Sequence, residues 1–180
     1  MDHVEGAFKA TETLIKEGHE NIAIITGNMK SRPSVDRLSG YKKALEHHGI
    51  TVKEDNIFFG DYTYESAYEA TKKILTAHDR PTAIFVLSNI MMLGCIKALI
   101  EEKLKVPDDI SVIGFDKIDA LNILGMNISF VNGPTEELGE TAIDMLMDLL
   151  RGKNNGIVKR VTLSPQIVLK GSERYKGKGI

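Results

Sequence analysis

Thr82-Ala83-Ile84-Phe85-Val86-Leu87 and Ile110-Ser111-Val112-Ile113-Gly114-Phe115 are two short apolar runs separated by a longer, strongly apolar segment, Asn89 to Leu104. Runs of this length, rich in β-branched and aromatic side chains, read as strands buried on both faces, and the segment between them as a helix. The same alternation continues outward. Upstream, Asn21 to Thr26 (NIAIIT) and Ile57 to Gly60 are further strands. Helices are predicted from Val4 to Gly18, from a Ser34 cap to Gly49, and near Glu65 to Ala77. The first carries Ala7, Ala10, Leu14 and Ile15 at helical spacing, the second Val35, Leu38, Tyr41 and Leu45. Helix and strand take turns four times, so the fold class is α/β: a parallel sheet with helices on both faces.

The last third breaks this rhythm. Ile128 to Val131 is a brief strand-like piece, and Gly133-Pro134-Thr135-Glu136-Glu137 opens a helix running to Arg151, with proline and acids where a helix start favours them. A polar tether, Lys153-Asn154-Asn155-Gly156, leads to a strand over Arg160 to Leu169, and the tail after Gly171 is expected to fray.

At 180 residues with 42% hydrophobic and 27% charged side chains, the chain suits one domain with a real core. Twenty-three basic residues against 25 acidic ones leave no cationic excess for nucleic acid, which argues against DNA contact by this stretch itself. The single cysteine, Cys95, excludes a disulfide framework and fits a reducing cytoplasm. No signal peptide opens the sequence and no apolar run is long enough to span a bilayer. His3, His19, His47, His48 and His78 stand at helix ends or loops without metal-ligand spacing, and are expected to be exposed or helix-terminal. No nucleophile elbow, phosphate loop or zinc signature occurs, so neither a metal, a cofactor nor catalysis is implied.

Polar residues follow the strands in a pattern. Open parallel sheets bind ligands outside the carboxyl ends of their strands. The first strand leads to Arg37, the second to Asp61 and Tyr62, the third to Ser88 and Asn89, and the fourth to Asp116. These side chains offer forked hydrogen bonding and a flat ring, chemistry suited to a sugar or a base. Equally, Asn89 and Asp116 stand where helix caps stand, and spacing alone leaves both readings open.

Ala10-Thr11-Glu12-Thr13-Leu14-Ile15-Lys16-Glu17-Gly18-His19, Arg37-Leu38-Ser39-Gly40-Tyr41, Arg80-Pro81-Thr82-Ala83-Ile84-Phe85, Val106-Pro107-Asp108-Asp109-Ile110 through Asp116, and Leu138-Gly139 occur in a specific order and spacing. In that order the chain resembles the effector-binding core of the LacI/GalR family of bacterial transcription repressors, built like a periplasmic binding protein. The resemblance implies a Rossmann-like lobe of a two-lobed core. Residues 1–131 and 157–174 would form the C-terminal lobe, and 132–156 a crossing helix that intact relatives contribute to the N-terminal lobe. It implies that Arg37 grips effector hydroxyl or carboxylate groups, that Asp116 accepts ligand hydrogen bonds, that Tyr62 stacks on the effector, and that Asn89 makes a polar contact. A small-molecule effector of the sugar type, a homodimer, and DNA binding only through a helix-turn-helix domain not found in this stretch follow by the same resemblance. Departures from the family pattern are Ile90 after Ser88-Asn89, Pro33 four residues before the arginine, and Lys117 after Asp116.

The helix from Asn89 is apolar nearly all round, which predicts burial on more than one side. Either neighbours in the same chain cover it, or, as the family's lobe-to-lobe dimers imply, it meets a second subunit, with Met91, Met92, Cys95, Ile96 and Leu99 at a dimer interface. The rival readings are a sugar-binding protein of a transport system and a small α/β enzyme using Asp61 or Asp116.

Overall fold

In a computed structural model of the chain, residues 1–152 and 158–175 are described. The two apolar runs form neighbouring parallel strands, β3 (Ala83–Val86) and β4 (Ser111–Phe115), joined through helix α4 (Asn89–Glu101). The remaining elements of the alternating part are α1 (His3–Lys16), β1 (Ile22–Thr26), α2 (Arg32–His47), β2 (Ile57–Phe59) and α3 (Tyr64–Thr76). A short helix α5 (Asp119–Ile123), strand β5 (Ser129–Asn132), helix α6 (Thr135–Leu150) and strand β6 (Gln166–Val168) complete it. The six strands lie in the order β2-β1-β3-β4-β5-β6; the first five run parallel, and β6 pairs antiparallel with β5.

Every residue of β1, β3 and β4 is buried, which requires cover on both faces of the sheet. The chain steps one way from β1 to β2 and then the other way to β3 and β4. With right-handed crossovers, that reversal sends α2 and α3 to opposite faces. There α2 packs on α1 and α3 packs on α4. Gly40 sets the first of these contacts: a Cβ there would lie 2.3 Å from the Val4 carbonyl oxygen, so only glycine lets α2 approach α1 so closely.

Several expectations change. Helix α2 starts at Arg32 after Ser31, with Pro33 in its first turn, so Ser34 lies inside the helix rather than capping it. The last strand shrinks from residues 160–169 to Gln166–Val168. The expected fraying does not extend to Ser172 and Glu173, which are buried; Ser172 Oγ donates to the Val112 carbonyl, and the Glu173 carboxylate accepts from Ser129 and from the Gly171 N–H. The tether 153–156 and the last five residues lie outside the described residues.

The five residues assigned to a dimer interface are all buried in the chain's own core: Met91, Met92, Cys95, Ile96 and Leu99 are each at most 4% exposed. The α3 contact and the sheet together surround that much of α4, which explains its apolar circumference without a partner. The exposed residues of α4 are Ile90, Lys97, Ile100 and Glu101, with Leu93 half-buried. Helix α6 is the opposite case, since none of its residues is buried.

Candidate functional site

Because β1 to β4 are parallel and in register, their carboxyl ends share one edge of the sheet. The chain reverses direction at the β1–β3 pair, the position where open α/β sheets form a ligand crevice. Arg37 lies in the second turn of α2 and is buried. Its Nη1 donates to the Leu87 carbonyl at 2.5 Å, just past the end of β3, and its Cζ sits 3.6 Å from the centroid of the Phe115 ring at the end of β4. Such stacking lets a guanidinium leave water while keeping a favourable electrostatic neighbour.

Asp116 follows Phe115 with a left-handed backbone, φ +70°, and its N–H donates to the Val131 carbonyl at 2.9 Å. A left-handed aspartate is uncommon, and here it ends the strand and starts no helix: α5 begins three residues later. Burial raises the Asp116 pKa and the Arg37 charge opposes that rise. Reciprocally, burial lowers the Arg37 pKa, while Asp116 and then Tyr62 counter it. Arg37 and Asp116 therefore feel each other, yet no direct ion pair joins them among the described residues.

Tyr62 and its neighbour Asp61 also have positive φ, +60° and +47°. The ring lies over Gly27, where a Cβ would come within 2.3 Å of its Cζ, and its hydroxyl hydrogen-bonds Ser34 Oγ at 2.6 Å. Asn28 Nδ2 donates to Asp61 Oδ1 at 2.7 Å and ties the loop after β1 to the loop after β2. Asn89 is not the cap of α4. Ser88 takes that role, its Oγ accepting from the Met91 N–H at 3.3 Å. Asn89 Oδ1 is buried and, like Thr26 Oγ1 at the end of β1, has no hydrogen-bond partner. Unpaired buried polar atoms are rare in folded chains, and here both fall at the carboxyl edge.

The structure thus brings Arg37, Tyr62, Asn89 and Asp116 to one edge, and it adds residues that spacing did not single out: Thr26, Ser34 and His3. His3 was expected at a helix end, where it does lie, but its ring packs against Arg37 and Phe115. His19 departs further. It is buried, with Nδ1 2.8 Å from Thr82 Oγ1 and Nε2 3.1 Å from the Glu173 carbonyl, far along the chain from any cue in its own segment. A separate open groove of about 570 Å³ lies at the other end of β4 and β5, lined by Val106, Pro107, Met126 and Arg174 among others, and contains none of the four edge residues. No group of side chains suited to a metal occurs among the described residues.

Residues 11–172 match the family model described as a periplasmic binding protein-like domain. The HTH-type transcriptional repressor PurR of Photobacterium profundum is 37% identical over 169 residues, 93% of this chain and 50% of that protein. The Escherichia coli transcriptional repressor ascG superposes with a TM-score of 0.84 at 35% identity, over 96% of this chain and 62% of that one. A sugar-binding transcriptional regulator of the LacI family from E. coli, solved with phosphate, gives a TM-score of 0.85 at 35% identity, over 96% and 61%. The chain spans about half the length of the curated relatives it matches. With this fold, this edge and these relatives, the chain belongs to the family of periplasmic binding protein-like domains, of the kind carried by LacI-family transcription repressors.

Proposed function

We propose that this chain is one lobe of the effector-binding core of a LacI-type transcription regulator, and that its effector is a polyhydroxylated small molecule of the sugar class. The observation that carries the reading is the pair Arg37 and Asp116. They are opposite charges, both withdrawn from water at one sheet edge, yet they do not bond directly to each other. A buried guanidinium and a half-buried carboxylate held apart retain donors and acceptors for a ligand that offers both, as a sugar hydroxyl does. Asn89 Oδ1 adds an unpaired acceptor and Tyr62 a ring. The relative solved with phosphate is itself named as sugar-binding, which supports the class.

The reading is non-catalytic, because the relatives are regulators. It places the protein in the cytoplasm, with DNA contacted through another domain. Among the described residues, no helix is long and apolar enough to cross a membrane. A homodimer belongs to the same reading, with the outward α4 residues Ile90, Leu93 and Ile100 and the exposed Ile123 and Leu124 of α5 and its end as the contact. A single lobe covers only part of a ligand, so binding by this chain alone is weak. Saturation-transfer NMR with a panel of mono- and disaccharides tests the proposal: weak signals are expected, and Arg37→Met and Asp116→Asn remove them. Signals that survive both substitutions, or sub-micromolar affinity of the isolated lobe, overturn it.

A further inference from the structure

Arg37 is held at three points, each from a different element. Leu87, past β3, accepts from Nη1 at 2.5 Å, and Phe115, in β4, lies under the guanidinium plane. The third point is His3, the first residue of α1, whose Nδ1 accepts from Arg37 Nε at 3.3 Å. The His3 ring also lies against Phe115, with centroids 6.0 Å apart and planes tilted by 39°. Imidazole and guanidinium therefore share one aromatic neighbour. With Nη1 and Nε engaged, the Nη2 edge has no hydrogen-bond partner among the described residues.

We propose that His3 is the positioning residue for Arg37, and that the guanidinium keeps its orientation only while the His3 imidazole is neutral. The importance of that orientation rests on the effector-site reading above; the contact itself does not. A carbonyl and a ring leave the guanidinium free to swing about the Nη1 bond, and the Nε contact removes that freedom. To accept from Nε–H, Nδ1 must present its lone pair, so the imidazole proton sits on Nε2. A second proton turns Nδ1 into a donor. The contact is then lost and two cations face each other across the same ring.

The surroundings hold His3 in its neutral form. Burial is the largest influence and lowers its pKa, and the Arg37 charge acts in the same direction. Asp36 on α2 and Asp2 before α1 act in the opposite direction, and both are already engaged. Asp36 accepts from Arg32 Nε at 2.8 Å, and Asp2 Oδ1 accepts from the Glu5 N–H at 2.9 Å. Phe115, from β4, brings no charge. Acidification therefore acts on Arg37 through His3, at a pH below the ordinary histidine range.

The test needs no ligand. In the ¹⁵N-labelled chain, the Arg37 Nε–H resonance should be protected from exchange at neutral pH and lose that protection in step with the titration of the His3 ring. Losing a hydrogen bond to a charged group speeds exchange by about tenfold or more. His3→Ala should lose the protection at every pH. His3→Asn, whose amide oxygen can stand in for Nδ1, should restore it and remove the pH dependence. An Nε–H that stays protected through His3 protonation, or in His3→Ala, overturns the proposal. Failure of every sugar to bind would instead count against the effector-site reading and leave this result standing.

Discussion

Arg37 and His19 are both buried polar side chains, and they make different demands on the fold. Arg37 satisfies the Leu87 carbonyl at a point where no strand neighbour does so. Arg37→Met keeps much of the side-chain volume but leaves that carbonyl unpaired, so a loss of about 1–3 kcal/mol is expected in urea unfolding. A variant as stable as the parent would show that the bond contributes nothing. His19 joins the end of α1 to Thr82 and to the Glu173 carbonyl, and Tyr175 lies edge-on to its ring at 4.8 Å. Burial lowers its folded-state pKa, and the Glu173 contact only partly offsets this. The unfolded chain therefore takes up the proton first, so stability is complete above the ordinary histidine pKa near 6.5 and declines as pH falls below it. Urea midpoints at pH 7.5 and 5.5 should show that decline, and His19→Gln should flatten it while lowering stability overall. Some slope remains in the variant, because His3 is shifted in the same direction.

At the scale of elements, α4 shows how an apolar helix can mislead. Its composition points to burial on several sides, and the structure supplies that burial from α3 and the sheet. Ile90, Lys97, Ile100 and Glu101 are exposed on it and Leu93 is half-buried, a set that no count of apolar residues separates from Met91 or Cys95. Ile100 is 54% exposed and Met92 is 1% exposed. Ile100→Glu should therefore leave the melting temperature nearly unchanged and, if α4 meets a second copy, convert a dimer to monomer in sedimentation. Met92→Glu should unfold the chain, because it places an unpaired carboxylate among Gly114 and the strand side chains. Dimers that persist in Ile100→Glu would place the contact elsewhere. The Arg37-Leu38-Ser39-Gly40-Tyr41 segment teaches the converse lesson. One face of α2 serves three ends, since the i, i+3, i+4 spacing brings together Arg37 at the sheet edge, Gly40 against α1, and Tyr41 donating to the Ile22 carbonyl at 2.8 Å.

Across the whole molecule, α6 is the element without a place in this lobe. Leu138, Ile143, Leu146, Leu149 and Leu150 are each at least 45% exposed. Burying one such side chain fully is worth roughly 1.5–3 kcal/mol, so the exposed stripe carries a strong drive toward association. Because no residue of α6 is buried, the paired change Ile143→Glu and Leu149→Glu should leave the melting temperature unchanged while reducing light scattering at high concentration. A lowered melting temperature would show that α6 supports the lobe after all. The alternation of apolar runs and amphipathic segments was legible without coordinates, since strands buried on both faces must be continuously apolar and parallel neighbours need a helix between them. The carboxyl-edge residues were legible for the same reason: parallel strands deliver whatever follows them to one edge. Contacts between distant segments were not legible. The packing of His3 on Arg37, the burial of His19 and Glu173, the choice of Ser88 over Asn89 as a cap, and the faces of α4 each depend on which chain segment arrives from elsewhere. Local periodicity is blind to such arrivals, and only the tertiary structure decides them.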